Sequence, residues 1–414
     1  MDQPEALIAF LHSACGGRNN ANTLQRIVSP GELVYKPNWP SLLLLLPMLL
    51  GGATMAEEAP QEDAAQNPAA TKETSRFGSF LALPIFITEP AIGEGLGLGL
   101  VYFHKDDKAD TPVVSTPSSL KKTGKKSKPP PTATGIFGFY TSNQTAGVGL
   151  GHSGSYFDDK LRVVGAVASM QINAALFLSD LPVNFGLDGE LVYLGLERRL
   201  GNTNFFLGVS AMNMNADADF KIGALDPNAT SLVDFSFQTT GLAGSVTYDS
   251  RDDSMMPGQG QLYDLTLWRY DDAIGSDFDY WSLRFKAHSF HQLSKRWVLG
   301  LRLDVSTVEG DPPFFAVPYV SLRGIPAMRY QAKTAGTVEI EGRYNFSEKW
   351  AGVAFAGAGL TNSGDPDLDT NDTINAFGAG LRIRALKEQN VWLGLDIAKG
   401  PEEYAWYIQM GHPW

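Results

Sequence analysis

The chain has 414 residues, with 33 basic and 45 acidic side chains and a formal net charge of −12. That balance excludes a nucleic-acid binder, which needs a basic footprint. A single cysteine, Cys15, excludes an internal disulfide.

Residues 1–56 read as an N-terminal extension and signal peptide. PSLLLLLPMLL at 40–50 is an apolar run too short to span a bilayer, followed by the small residues GGATMA at 51–56 and an acidic stretch opening at Glu57. This is the order of a secretory signal, with cleavage expected after Ala53 or Ala56. Only Lys36 supplies a nearby positive charge, and the leader before it is long, so a start near Leu33 or Val34 fits as well as Met1. HSAC at 12–15 lacks the apolar residue of a lipoprotein site. Residues 57–76 read as a polar periplasmic linker.

Residues 77–414 alternate with period two, and no convincing helical run interrupts them. The spacing predicts strands at 78–87, 92–103, 133–141, 144–156, 160–175, 184–200, 203–214 and 235–249, then at 260–270, 278–291, 295–308, 334–346, 350–361, 372–385, 391–399 and 403–412. In WVLGLRLDV, Trp297, Leu299, Leu301, Leu303 and Val305 share one face, and Arg302 and Asp304 the other. Alternation alone also suits a soluble sandwich. Three features point instead to an all-β fold, a transmembrane antiparallel β-barrel of about 16 strands. The segments are long enough to cross a membrane when tilted. Aromatics such as Trp281, Trp297, Trp350 and Tyr404 sit near segment ends. Connections after even strands (FDDK, LGNT, HQLSK, FSEK, KEQN) are short, whereas 215–234, 309–333 and 362–371 are long and follow odd strands. The exception is 104–132, which contains KKTGKKSKPPP and reads as a disordered basic periplasmic insertion. Pro84 in the first strand cannot donate to a ladder and suits an edge or seam.

Three stretches carry more than patterning. VTYDSRDDSMMPGQGQLYDLTL at 246–267 places Tyr248, Asp249, Arg251, Asp252, Pro257 and Gly260 ahead of an alternating strand. SLRGIPAMRY at 321–330 puts Arg323, Gly324 and Ile325 in a Pro-rich loop. EIEGRYNF at 339–346 sets Glu339, Glu341 and Arg343 on the polar face of the next strand, opposite Val338, Ile340, Tyr344 and Phe346. The last strand, YAWYIQMGHPW, carries Tyr404, Trp406, Ile408 and Met410 on one face and ends on Trp414.

Together these motifs resemble the BamA/TamA superfamily of outer-membrane barrels. PIFITEPAIGEGLGLGLVYF and FYTSN resemble its subgroup of bacterial surface antigens. The resemblance covers roughly 77–414. It implies that loop 309–333 folds into the lumen, that Arg323 pairs with acidic residues of the wall, and that Glu341 is the family's glutamate partner. It also implies that the terminal aromatic strand is the signal read by the barrel assembly machinery. Two positions depart from the family: Ile325 stands where an aromatic is expected, and Gly357 where a second acidic partner is expected. The stretch from Ala56 to Phe77 is too short for a periplasmic POTRA domain, which places the chain with a POTRA-less subgroup.

Catalytic signatures are absent: no GxSxG, HExxH, Walker or dinucleotide loop occurs. His288 on a polar face has no ordered Ser and Asn partners of the kind an outer-membrane lipase needs. DPDLDTND at 365–372 spaces acids like a calcium loop but lacks its glycine and final glutamate, so it reads as a solvated acidic loop. The expectation is a protein that is not an enzyme, with no cofactor and no metal. Its partners would be outer-membrane lipids, the assembly machinery for its own insertion, and a possible client protein or lipid. Its activity would be insertion or translocation of proteins or lipids at the bacterial outer membrane. Two alternatives stay open: a passive channel lined by Arg284, Lys286, Arg302, Glu339, Arg343, Arg382 and Arg384, and a structural or surface-anchoring barrel.

Overall fold

The computed structural model describes residues 79–87, 92–104, 130–178, 181–221, 233–364, 373–387 and 390–414. The expected signal, the linker, the lysine-rich part of 104–132 and the acidic loop 365–372 lie outside the described residues.

Sixteen strands form one antiparallel sheet in sequence order. The first half comprises β1 (Ser79–Ile87), β2 (Gly95–Phe103), β3 (Ala133–Thr141), β4 (Ala146–Tyr156), β5 (Leu161–Leu178), β6 (Leu181–Arg199), β7 (Phe205–Lys221) and β8 (Val233–Asp249). The second comprises β9 (Gly260–Tyr270), β10 (Tyr280–Gln292), β11 (Trp297–Gly310), β12 (Thr334–Asn345), β13 (Trp350–Asn362), β14 (Thr373–Leu386), β15 (Val391–Lys399) and β16 (Tyr404–Met410). The strand count and parity follow the period-two reading. An even number of antiparallel strands returns the chain to the side from which it entered.

The two faces separate as the alternation demands. Leu96, Leu98 and Leu100 on β2, Leu207 and Val209 on β7, and Leu301 and Leu303 on β11 all point outward and are exposed. His288, Glu339, Glu341, Arg343, Arg382 and Asp396 point inward and are buried. A face of leucine and valine left bare around a barrel matches bilayer hydrocarbon and nothing in water. Aromatic side chains mark its lower edge: Tyr248 stacks with Tyr263 at 6.0 Å, and Trp297 lies 5.0 Å from Tyr344.

The upper halves of β5–β8 correct one expectation. Residues 215–221 and 176–178, expected in loops, continue β7 and β5, and only 179–180 separate β5 from β6. The cause is a reversal of faces. At the rung where Ala211 pairs with Leu242 the outward side is still apolar; at the next outward rung Asn213 pairs with Thr240, followed by Asn215 with Gln238. Meanwhile Met214, Ala216 and Phe237 point inward and are buried. These strands therefore leave the apolar belt and continue as a sheet that is wet outside and greasy inside.

The ladder stops at the two ends of the sheet. Each strand pairs with its sequence neighbours, but no ladder joins β16 to β1 among the described residues. One ring pair, Phe86 and Trp406 at 6.3 Å, spans that seam. Pro84, which has no backbone N–H, lies in β1 as an edge position allows.

A candidate anchor site in the lumen

Loop 311–333, between β11 and β12, enters the barrel. Its upper part is greasy: Phe314 lies 5.0 Å from Phe185, and Phe315 stacks with Phe237 at 5.2 Å. Lower down, Val320, Leu322 and Ile325 pack with Ile374 and Ala376 of β14. The wall opposite is hollowed by glycine. A Cβ on Gly357 would meet Leu322 Cδ1 at 2.6 Å, and one on Gly359 would meet Val320 Cγ1 at 2.2 Å. That explains the glycine where a second acid was expected: position 357 receives a leucine of the loop.

Arg323 sits at the tip of the descent. Its Nη1 donates to Asp396 Oδ2 at 2.7 Å, and its Nη2 donates to Glu341 Oε2 at 2.9 Å and also to Glu339 Oε1. The guanidinium lies over the Phe355 ring, 3.4 Å from its centroid. Burial works against its charge, but Glu341, Glu339 and Asp396 outweigh it and hold the group above its ordinary range. Arg382, fully buried, donates to Asp396 from both terminal nitrogens. The missing acidic partner is thus Asp396 on β15, two strands beyond the expected one. Its only sequence signal was a lone carboxylate on the polar face of VWLGLDI. Gly324, at φ +95°, has room only for hydrogen: a Cβ there would lie 3.0 Å from Gly400 N. Ile325, in place of an aromatic, is buried in the loop's apolar cluster.

The last strand is fastened to the same cluster from inside. Gly324 N donates to the Tyr407 hydroxyl at 2.9 Å, and Gln409 Nε2 donates to Asp396 Oδ2 at 3.2 Å. β16 ends at Met410, and Gly411, at φ +79°, turns the chain inward. His412 Nε2 lies 3.1 Å from Glu341 Oε1, and Trp414 Nε1 donates to Glu339 Oε1 at 2.6 Å. Burial lowers the His412 imidazole against the pull of Glu341. Trp414 stacks with Phe290 at 5.5 Å. Tyr404 and Trp406 do face outward, with Ile408 in the same alternation, whereas Trp414 lies in the lumen rather than on the lipid face.

The turn motif closes the lower mouth. Asp249 accepts from Arg162 at 3.0 Å and Arg251 at 2.9 Å. Asp252 Oδ1 accepts from the backbone of Gly258 and Gln259, at 2.8 and 3.1 Å, which folds the turn on itself. Gly260 returns the chain at φ +106°. The turn reaches across the barrel: Pro257 O accepts from Arg343, Met256 packs on Ala351 and Trp392, and Asp253 Oδ2 accepts from Asn390 at 2.8 Å. Arg343 therefore serves the turn, not Arg323. Tyr248 is apart from this group, in the outer aromatic row. Of the expected channel lining, Arg302 is paired with Asp304 at 2.7 Å and Arg384 lies over Trp392 at 4.8 Å. Among the described residues no cluster of three or more potential ligands could hold a metal ion.

The comparisons agree with this architecture. Residues 141–316 match the model of the Omp85 superfamily domain. No curated protein matches the sequence significantly. Among solved structures, the chain is similar to BamA from Haemophilus ducreyi lacking POTRA domains 1–3, at 12% identity and a TM-score of 0.52, over 80% of this chain and 69% of that one. It is also similar to CdiB from Acinetobacter baumannii (10%, TM-score 0.50, 80% and 59%) and CdiB from Escherichia coli (12%, TM-score 0.52, 80% and 62%). The chain thus spans less than two thirds of either CdiB chain. At such identities these likenesses are of fold. The likeness is of a sixteen-stranded β-barrel fold, within which residues 141–316 match the Omp85 superfamily domain.

Proposed function

We propose that this barrel works in the bacterial outer membrane, inserting or translocating proteins or lipids by opening sideways at the β1–β16 seam. One observation carries the reading. The only edges without a ladder among the described residues meet at that seam, and β16 is held there from within by the Arg323 cluster. A laddered seam would need a row of backbone hydrogen bonds broken before opening; here the fastening lies in a few side chains. A client strand presenting its own N–H and C=O groups could pair with the free edge of β1, which is β-strand addition. Loop 311–333 and the tail would set the opening, since both grip the same carboxylates.

The outer-membrane lipids would bathe the apolar belt, and the cell's barrel assembly machinery would insert the chain itself. No catalytic chemistry enters this reading. The channel alternative is weaker, because loop 311–333 and turn 250–259 enter the lumen from opposite ends and bind its wall. The test is a seam disulfide. Cys15 is the sole native cysteine, so Cys15→Ser with Phe86→Cys and Trp406→Cys gives a defined cross-link. Oxidised protein in liposomes is expected to lose at least tenfold of its ability to speed insertion of a second barrel or movement of lipid, and to regain it on reduction. Equal activity in both states removes lateral opening; absence of activity in the reduced form leaves the anchoring role.

A further inference from the structure

The outer wall of β2–β6 is not a uniform belt. A hollow of about 670 Å³ lies there, lined by Leu98, Leu100, Ile136, Val148, Leu150 and Val167. An outward glycine leaves it open: a Cβ on Gly138 would meet only Val148 Cγ1 at 3.4 Å and Gly147 O at 3.5 Å.

One outward rung below, the same face turns polar. Leu100 pairs with Ile136 and Ile136 with Leu150; next along the strands, Tyr102 pairs with Thr134 and Thr134 with His152. A hydrogen-bonded chain crosses that rung. His104 Nε2 lies 2.8 Å from Thr134 Oγ1, which lies 2.8 Å from His152 Nδ1, and His152 Nε2 lies 2.6 Å from the Tyr156 hydroxyl. This is the end of the barrel to which β2 descends, the side of the chain termini.

The chain has a property that none of its members has alone. A hydroxyl has one proton to give and a neutral imidazole one N–H. If Tyr156 donates to His152, then His152 donates to Thr134, Thr134 to His104, and His104 is left with Nδ1–H facing out. If the order is reversed, the free proton is on the Tyr156 hydroxyl. In either polarity one end of the chain presents a donor without a partner in the chain, and protonating either imidazole presents one at both ends. A group with several acceptor oxygens satisfies both arrangements. A group with a single donor satisfies neither.

We infer that this face is a phospholipid site, with an acyl chain lying in the Leu98–Leu150 hollow and the headgroup phosphate accepting from the His104–Thr134–His152–Tyr156 chain. The apolar walls fit hydrocarbon, the polar rung lies where the hydrocarbon ends, and phosphate oxygens supply an acceptor at whichever end carries the free donor. Aromatic neighbours border the headgroup position: Tyr102 lies 4.8 Å from His104 and 4.7 Å from Phe80. The site is remote from the β16 anchor and does not depend on the insertion reading.

Native mass spectrometry of the detergent-purified full chain tests it, with palmitoyl-oleoyl phosphatidylglycerol and the matching diacylglycerol, which lacks phosphate, as probes. One bound phosphatidylglycerol is expected to persist at activation energies that strip diacylglycerol. Thr134→Val, which cuts the chain at its centre, is expected to weaken retention at least tenfold. Gly138→Leu, which fills the hollow, is expected to weaken it similarly. Both changes leave a strand position β-compatible, and the heat-dependent gel shift of a folded barrel checks each variant. Equal retention of the two probes overturns the phosphate contact. Equal retention by wild type and both folded variants overturns the site.

Discussion

At the residue scale the molecule turns on one buried arginine. Arg323 is matched by three carboxylates, Glu339, Glu341 and Asp396, none of which has access to water. Replacing a buried pair with apolar groups is often neutral, but removing one partner strands the other charge. Arg323→Ala leaves three carboxylates with Arg382 as their remaining arginine, so a loss of about 3–5 kcal/mol is expected. The measurement is the temperature at which the folded band on a semi-native gel converts to the unfolded one. A large drop is expected for Ala and a smaller one for Lys, which keeps the charge without the fork; an unshifted transition removes the anchor. Parity put Glu339 and Glu341 on the inner face, and the Arg-Gly motif of the Pro-rich loop singled out Arg323. Asp396 was missed because parity says nothing about which strands of a closed wall a loop tip will reach. The three carboxylates lie on two strands separated by two others, and only the path of the loop unites them.

At the scale of elements, three segments that are distant in sequence meet on the same part of the wall: loop 311–333 from above, turn 250–259 from below, and the tail beyond β16. Gly357 and Gly359 of β13 receive the loop's Leu322 and Val320. Gly359→Leu overfills that contact and is expected to cost about 1–3 kcal/mol, lifting the loop from the wall. Trypsin accessibility at Arg329 should report the lifting, and unchanged cleavage sinks the packing argument. The tail makes a separate prediction. Trp414→Ala removes the donor to Glu339 and the Phe290 stack, yet leaves the lipid-facing Tyr404 and Trp406 in place. The expected outcome is normal delivery to the membrane with an increased β1–β16 opening rate, read from a fluorophore pair across the seam. An unchanged opening rate would show that the tail does not restrain β16. Strand ends were the least legible elements. The upper parts of β5–β8 looked like loop because Asn213, Asn215 and Asp217 break the apolar face. The alternation had not ended there; it had changed sides, since water replaces lipid outside and loop 311–333 supplies an apolar partner inside.

At the scale of the whole molecule, the physical constraint is the outward face. Leucines and valines exposed on most strands leave a belt that water cannot solvate at tolerable cost. The processed chain is therefore expected to need detergent or lipid to stay dispersed, and to migrate faster on gels when unheated than when boiled. A monomer that stays soluble without either would refute the membrane reading. The sequence by itself determined the class of fold, the strand number and the side each residue faces. Those follow from a two-residue repeat that every segment obeys independently, and from the apolar face that a lipid-exposed wall requires. Only the tertiary structure decided where the sheet fails to close, that Trp414 turns into the lumen, and that Asp396 completes the cluster around Arg323. Each of these depends on distances between segments far apart in the chain, and a local repeat carries no information about such distances.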